Sequence, residues 1–289
     1  MLKTFLYHFS QGISAFLVMD NLSTDSTLSI LYRLSRIIPV VIYHQNDDTH
    51  DQSRWVTGMA RDAYLNEGAD WVINNDADES WQFPGGNAPE FLSSVDDQIS
   101  GLLVRRFNTV LVSEGREYSC HPEVSQYFWQ DSKNALNNLL SPKCLHRGSS
   151  SVTVAQGNHD ISGHIGIIEP TQQISILHFP YRSFFGYKRK IHLGGDAYAR
   201  NKDLPSSFGV AWRAQNEFLD SDDMLSFWKD LAVAPNVIQS TLSDGSILVD
   251  FELIEALKSV KPDYWWFWLK FRLRIFCTNI IRTINSEIN

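Results

Sequence analysis

Three short apolar runs mark the first part of the chain, and polar residues follow each of them. The runs cover residues 15–19, 40–43 and 71–73. An unbroken apolar run of this length is typical of a strand that is buried on both faces of a sheet. The polar residues that follow predict loops at the strand ends, where open α/β sheets bind their ligands.

Apolar residues at helical spacing occupy the segments around these runs. Three helices are predicted there: residues 2–9, residues 28–35, and a helix that begins at Asp51 or Ser53 and ends at Gly68. The resulting β-α-β-α-β order predicts a mainly parallel sheet wound with helices. Because parallel strands end at one edge of the sheet, we expect Asp20, Asn21, the loop after Tyr43, Asp76 and Asp78 to line one crevice.

The pattern changes after residue 84, where shorter apolar runs predict an antiparallel part. Strands are expected at residues 102–107 and 109–113, a polar loop at residues 127–142, and the short strands of the antiparallel part at residues 143–146, 151–155, 165–169 and 174–179. A basic helix is predicted at residues 184–199, and further helices after residue 206. We therefore predict a first domain of residues 1–200 and a helical C-terminal extension of residues 201–289.

Composition narrows the class of protein. The chain has 289 residues, 43% of them hydrophobic, which is enough for one sizeable core with additions. Its net charge of −8 argues against general binding of nucleic acid, which relies on basic patches. Three irregularly spaced cysteines indicate a reducing compartment. With no convincing signal peptide and no apolar run long enough to span a bilayer, we expect a cytoplasmic protein.

Acidic and amide side chains crowd the segment that follows the run at residues 71–73. Five of the six residues at positions 74–79 are polar, and Asp76 and Asp78 stand two positions apart. At a strand end, both carboxylates can point at one cation, and carboxylate oxygens together with a diphosphate are typical ligands of Mg²⁺ or Mn²⁺. The alternative is an ordinary acidic turn.

Further candidate groups lie downstream. His159 is a candidate third metal ligand, and His178 a second candidate for that role. Asp160 is a candidate general base for an acceptor hydroxyl, with Glu79 as its rival. The alternatives are a loop in which Asp160 caps a helix, and histidines that only satisfy local hydrogen bonds.

Two cationic segments stand out in this acidic chain. The first segment contains Arg182, Lys188, Arg189, Lys190 and His192. If the whole segment is helical, Arg182 and Arg189 share a face and can clamp a diphosphate or close over it as a lid. The second segment, residues 264–276, mixes aromatic residues with cations and suits peripheral contact with the inner face of a membrane. The alternative for the first segment is a helix face that lies in solvent. The alternative for the second segment is a helix packed on the body of the protein or on a partner subunit.

The motifs MDNLSTDST, RWVTGMARDAY and WVINNDADE, with the later KCLHR, GNHD and HFPYRSFFGYKRK, together resemble a family 2-type glycosyltransferase of the GT-A fold. The resemblance is strongest to bacterial members with a D-A-D-E motif and covers roughly residues 2–199. It implies a GT-A-like mixed sheet flanked by helices. It also implies an inverting transfer of sugar from a nucleotide-sugar to a glycan or lipid-linked acceptor, as in polysaccharide biosynthesis, with Mn²⁺ or Mg²⁺.

The resemblance also implies roles for particular residues. Asp76 and Asp78 match the motif for metal and diphosphate, and Asp20 and Asn21 match the position that contacts the nucleotide base. Arg61 matches an arginine near the nucleotide, with Arg54 as the alternative.

In the family, a strand precedes the first helix, whereas this sequence begins inside that helix. Two other functions therefore stay open. One is a truncated, non-catalytic relative that acts as a binding or scaffold subunit, and the other is a metal-dependent enzyme that processes phosphoesters.

Overall fold

The computed structural model describes residues 2–46, 51–114, 117–118, 125–202, 205, 209–217 and 219–259. Its helices are α1 Leu2–Ser10, α2 Thr27–Leu34, α3 Gln52–Leu65, α4 Ala88–Ser93, α5 Phe184–Arg200, α6 Val210–Glu217, α7 Asp222–Asp230, α8 Pro235–Ser243 and α9 Glu252–Ser259. Its strands are β1 Phe16–Asn21, β2 Val40–Gln45, β3 Trp71–Ile73, β4 Glu79–Gln82, β5 Ile99–Asn108, β6 Leu111–Glu114, β7 Glu117–Tyr118, β8 Tyr127–Trp129, β9 Lys143–Arg147, β10 Thr153–Val154, β11 Ile161–Ser162, β12 Ile167–His178, β13 Ala232–Val233 and β14 Ile247–Val249. The predicted α/β class is confirmed.

The first two strands form the predicted parallel pair. β1 and β2 run side by side, and their register places Asp20 opposite His44. Helices α1 and α2 bury their apolar faces in one cluster with these strands, around Leu6, Leu31 and Leu34. The β-α-β prediction for this part of the chain is therefore confirmed, and Asp20 lies at the carboxyl end of its strand.

The third strand does not continue this parallel sheet as predicted. Among the described residues, β3 pairs with β9 in antiparallel orientation, with Trp71 opposite Arg147. It forms one edge of a separate five-stranded sheet of order β3-β9-β5-β12-β4, in which β5 and β12 are parallel. Local patterning identified β3 as a strand but carries no signal for its partner, which lies about seventy positions along the chain.

Helices cover both faces of the five-stranded sheet. On one face, Ala60 of α3 packs with Cys144 of β9. On the other face, Leu92 of α4 packs with Leu145 of β9 and Leu102 of β5. Neighbouring residues of one strand therefore serve opposite faces, as the alternation of strand side chains requires.

Two predictions for the antiparallel part need correction. The expected strands at residues 165–169 and 174–179 are one strand, β12, whose pairing with β5 shifts register between Thr171 and Ile176. The predicted loop at residues 127–142 contains β8, which pairs with β14. The polar residues between the two expected strands predicted an interruption. The strand continues through them because a register shift accommodates such a stretch.

Helix α1 completes the edge strand β4. The ring Nε2 of His8 accepts a hydrogen bond of 2.9 Å from the backbone N–H of Trp81. The side chain of Gln11 donates to the carbonyl of Trp81 at 2.7 Å and accepts from the N–H of Phe83 at 2.9 Å. These side chains replace the hydrogen bonds of a further strand and hold in place the second half of β4, which begins at Glu79.

Residues beyond position 200 pack on the rest of the molecule. β13 pairs with β6, β14 pairs with β8, and Leu253 and Leu257 of α9 pack with Tyr7 of α1. The division at residue 200 stays a prediction, and the described contacts cross it. The segment at residues 264–276 lies outside the described residues. No helix within the described ranges has the length and apolarity to cross a membrane.

Candidate active site

The turn between β3 and β4 presents the acidic stretch. The backbone N–H of Glu79 donates to the carbonyl of Asp76 at 3.1 Å, which closes the turn. Asn75 accepts a hydrogen bond of 3.0 Å from the indole N–H of Trp81. Asn74 is buried and lies 3.4 Å from the Cys144 carbonyl. The amides of this stretch therefore fix the turn, and the carboxylates of Asp76 and Asp78 are left for other partners.

Asp76 is held by donors from three other segments. The Nζ of Lys143 lies 2.5 Å from its Oδ2, and the Lys143 side chain is only 1% exposed. Its Oδ1 accepts from the side-chain amides of Asn158 at 3.1 Å and Gln52 at 3.2 Å. A carboxylate with this many donors is fixed in orientation, and its negative charge is already balanced by a buried ammonium group.

Glu79 lies beneath this pair and is fully buried. Its Oε1 is 3.5 Å from a guanidinium nitrogen of Arg106 and 3.6 Å from the Nζ of Lys143. Burial, together with the nearby charge of Asp76, raises the pKa of Glu79 to about 7 despite these two cations. Because a fully buried carboxylate does not meet an acceptor molecule from solvent, this placement does not favour Glu79 as the general base.

Asp78 has a different set of partners. Its Oδ2 lies 2.5 Å from the Nζ of Lys190 and 3.5 Å from the Nε2 of His178. Burial acts to raise the pKa of Asp78, but the charge of Lys190 and the contact with His178 outweigh it and hold the pKa well below its ordinary range. The Nδ1 of His178 lies 2.7 Å from the side-chain oxygen of Asn108. Burial lowers the pKa of His178, which favours its neutral form.

The cationic segment reaches the turn from α5. Ser183 is the N-cap of α5, so Arg182 precedes the helix, and the expectation that Arg182 and Arg189 share a helical face is wrong. Arg182 instead lies 3.4 Å from the carbonyl of Ala77, inside the D-A-D motif. Arg189 lies 3.4 Å from Thr24 in the loop after β1. The basic segment therefore contacts both the loop after β1 and the acidic turn, two parts of the expected crevice.

Lys188 points elsewhere. Its Nζ lies 2.7 Å from Asp220, at the junction of α6 and α7, and no contact within the described residues connects it with the acidic turn. Lys190, two positions later, makes the contact with Asp78 instead. Residues two apart on a helix face different directions, which separates the two lysines.

The loop at residues 157–160 contributes Asn158 to the site, and its histidine is bonded to a backbone carbonyl. The Nδ1 of His159 lies 2.8 Å from the carbonyl of Pro142, and burial lowers its pKa to about 4. Asp160 is exposed, and its Oδ1 accepts from the N–H of Ile161 at 2.8 Å. Within the ranges described above, no three His, Cys, Asp or Glu side chains cluster in a way that could hold a metal ion. The metal set of Asp76, Asp78 and His159 stays a prediction.

The expected nucleotide contacts lie at two different places. Asp20 is buried, its Oδ2 is 4.0 Å from the Nδ1 of His44, and its Oδ1 has no hydrogen-bond partner among the described residues. Asn21 beside it is exposed. Arg61 donates to the carbonyl of Val152 at 2.7 Å and so ties α3 to the segment that leads into β10. The contacts of Arg61 are thus structural.

Four residues of this site were missed by the reading of the sequence. They are Gln52, Arg106, Lys143 and Asn158, which contact the two carboxylates of Asp76 and Glu79. One signal was present for Lys143, because a lysine within a strand that is otherwise buried needs a carboxylate partner. The identity of that partner depends on the pairing of β9, which no local pattern reveals.

Neither a protein-family model nor a curated protein sequence matches the chain. Among solved structures, the chain is similar to S. aureus TarS 1–349 in complex with UDP. The sequence identity is 11%, the TM-score is 0.39, and the match covers 87% of this chain and 92% of the TarS chain. A likeness at this level does not establish a family.

Proposed function

We propose that the chain is a glycosyltransferase that moves a sugar from a nucleotide-sugar to a hydroxyl group of an acceptor. One observation carries the proposal. The basic segment around the start of α5 touches both the loop after β1, through Arg189 and Thr24, and the acidic turn, through Lys190 and Asp78. A cationic segment between a strand-end loop and an acidic turn suits a ligand that has a base at one end and a diphosphate at the other.

The chemistry of the transfer needs these cations. When the bond from the sugar to the diphosphate breaks, negative charge grows on the leaving phosphate oxygen. Arg182, Arg189 and Lys190 are the groups assigned to stabilise that charge, because Arg182 and Lys190 place N–H donors at the acidic turn and Arg189 places one at the loop after β1. In this proposal Lys190 exchanges its contact with Asp78 for one with the diphosphate.

The nucleotide base is assigned to the end of β1. The buried Oδ1 of Asp20 lacks a hydrogen-bond partner among the described residues, and a buried acceptor of this kind is costly unless a donor reaches it. The N–H groups of a nucleobase supply such a donor. Asn21 is exposed next to it and offers both an amide donor and an amide acceptor.

The side chains around Asp78 also fit a divalent cation. The Oδ2 of Asp78 and the Nε2 of His178 face each other at 3.5 Å, and a neutral His178 that donates from Nδ1 to Asn108 leaves Nε2 as an acceptor. Two acceptors this close attract a cation, and the ammonium group of Lys190 is a cation that already contacts Asp78. Asp78 and His178 would hold Mn²⁺ or Mg²⁺ with phosphate and water oxygens, and the metal would act as a Lewis acid on the leaving diphosphate.

Asp160 remains the proposed general base for an inverting transfer. Asp160 is exposed and lies two positions after Asn158. Asn158 in turn contacts Asp76. A general base must meet the acceptor hydroxyl, and Asp160 satisfies that requirement better than the fully buried Glu79.

The donor site is tested by calorimetric titration of the full chain with UDP and GDP, with and without MnCl₂. We expect one nucleotide to bind, more tightly with metal, and Asp78→Asn to weaken that binding by about tenfold or more, the loss of at least about 1.4 kcal/mol. Asp230→Asn, an exposed carboxylate on α7, is the matched control and should leave binding unchanged.

The outcomes separate the proposed function from its rivals. Absence of binding by the folded wild-type chain would contradict the donor site and favour a binding or scaffold subunit. Release of phosphate from the nucleotide without any acceptor would favour a phosphoester-processing enzyme. Equal binding by wild type and Asp78→Asn would remove Asp78 from the site.

A further inference from the structure

A second cleft opens beside the candidate donor site, between α5 and the junction of α6 with α7. Its volume is about 650 Å³. One wall comes from α5, and the other comes from the end of α6 and the residues that lead into α7. Of the residues assigned above to the donor site, Arg189 lines this cleft.

The α5 wall is one face of the helix. Phe185, Lys188, Arg189, His192 and Asp196 line the cleft, at the spacing of three, four and seven residues that a helical face requires. Arg189 lies where this cleft meets the donor site, because its guanidinium also reaches Thr24 at 3.4 Å. The cleft therefore continues from the place where the donor is proposed to bind.

The opposite wall is brought close by glycine. A Cβ on Gly195 would lie only 2.7 Å from the Cβ of Asn216, so the absence of a side chain there allows α6 to approach α5. Beyond Asn216, the cleft is lined by Glu217 and Asp220. The Oδ1 of Asp220 lies 2.7 Å from the Nζ of Lys188 on the other wall.

The charges in the cleft exclude a polyanion as the ligand. The basic side chains of α5 are accompanied by the carboxylate of Asp196 on the same helix and by those of Glu217 and Asp220 on the opposite wall, so neither sign dominates. Closely spaced donors and acceptors of this kind suit a neutral molecule with many hydroxyl groups, because each hydroxyl both donates and accepts a hydrogen bond.

An exposed aromatic ring stands at the same wall. Phe185 is 82% exposed, whereas Phe184 beside it, the first residue of α5, is partly buried against an apolar cluster. A phenyl ring held by a helix and left in water offers a flat apolar surface. The C–H face of a sugar ring is the complementary surface of a molecule whose edges are hydroxyl groups.

We propose that this cleft binds a sugar unit of the acceptor, with the ring stacked on Phe185 and its hydroxyl groups bonded to the charged side chains of both walls. The proposal rests on the proposed function, and it specifies a neutral carbohydrate as the acceptor. Phe185 is a binding residue in it, and Arg189 is shared between donor and acceptor.

The test is direct binding of the labelled full chain to an array of immobilised neutral oligosaccharides, in the absence of any nucleotide. We expect wild type to bind a subset of them. Phe185→Ala should weaken that binding by about threefold to tenfold, the range for an aromatic contact, and Phe185→Trp should restore it. Leu193→Ala is the matched control, because Leu193 is an exposed apolar residue of the same helix that does not line the cleft.

The titration with UDP and GDP is run on the same variants, and it separates this proposal from the proposed function. Loss of oligosaccharide binding in Phe185→Ala, with nucleotide binding unchanged, supports the cleft. Equal oligosaccharide binding by wild type and Phe185→Ala overturns it, and so does a wild-type chain that binds none of the oligosaccharides. A chain that binds oligosaccharides through Phe185 but binds no nucleotide keeps the cleft and overturns the transferase.

Discussion

At the scale of single residues, the site depends on one buried lysine. Lys143 is 1% exposed and is the cation that Asp76 and Glu79 share. Removing one member of a buried ionic group leaves the charges of its partners uncompensated. The resulting loss of stability is far larger than the net contribution of the intact group. Arg106 alone then faces Glu79, and it does not replace the contact with Asp76.

We predict that Lys143→Met lowers the free energy of unfolding by about 3–5 kcal/mol, because two carboxylates lose their buried counter-charge. The measurement is urea denaturation at pH 7.5. Lys229→Met, an exposed lysine on α7, is the control and should change the value by less than about 0.5 kcal/mol. In the double variant Lys143→Met with Glu79→Gln, part of the loss should return, and a fully additive loss would contradict the shared role of Lys143.

At the scale of elements, α5 has to hold Lys190 in place. The Nζ of Lys190 lies 5.5 Å from the ring centre of Trp212 on α6. Gly194, one turn further along α5, lies directly against the same ring. The packing of α5 on α6 therefore sets the position of the ammonium group that contacts the acidic turn.

We predict that Gly194→Ala destabilises the protein by about 1–3 kcal/mol, because the new Cβ would lie 2.4 Å from the Trp212 ring and overpack the contact. Gly58→Ala is the matched control: Gly58 lies in α3, and nothing lies within 4 Å of the added Cβ. That change should stabilise the protein by up to about 1 kcal/mol. Thermal unfolding of both variants is the measurement, and equal shifts of the two midpoints would show that the α5–α6 contact yields without strain.

The elements also show what sequence patterns predict and what they leave out. Helices α1, α2, α3 and α5 were predicted close to their observed bounds, because their apolar residues follow the helical period. Asp51 or Ser53 was predicted as the N-cap of α3, and it is the side chain of Asp51 that accepts from the N–H of Arg54. The pairing of β3 with β9 was not predictable, because it joins residues that are distant in sequence and depends on tertiary packing.

The same limit applies to the site. Asp76, Asp78 and Glu79 were predicted as site residues because carboxylates after an apolar run are visible in the sequence. Their partners Lys143 and Lys190 are distant in sequence, and only the folded chain brings them within 2.5 Å of Asp76 and Asp78. The resemblance to a family predicts which segments form the site, but it does not predict which cation each carboxylate contacts.

At the scale of the whole molecule, acid stability depends on buried histidines. His8 is buried between α1 and β4, and burial lowers its pKa to about 4 from an ordinary value of 6.5. Between these two values the unfolded chain binds a proton at His8 and the folded chain does not, so the free energy of unfolding falls as the pH falls. Glu79 acts in the opposite direction from pH 7 downward, because its raised pKa makes the folded chain bind a proton first.

We predict that wild type loses about 3 kcal/mol of stability at His8 between pH 7 and pH 4, and that His8→Gln removes this loss. Glutamine keeps a side-chain acceptor for the N–H of Trp81 but does not titrate. The measurement is the unfolding free energy of both chains by denaturation from pH 7 to pH 4. Because Glu79 is present in both chains, its contribution drops out of the difference between them. That difference should favour wild type at pH 7 and shrink or change sign by pH 4. A difference that stays constant over this range would show that His8 does not contribute to the pH dependence of the unfolding free energy.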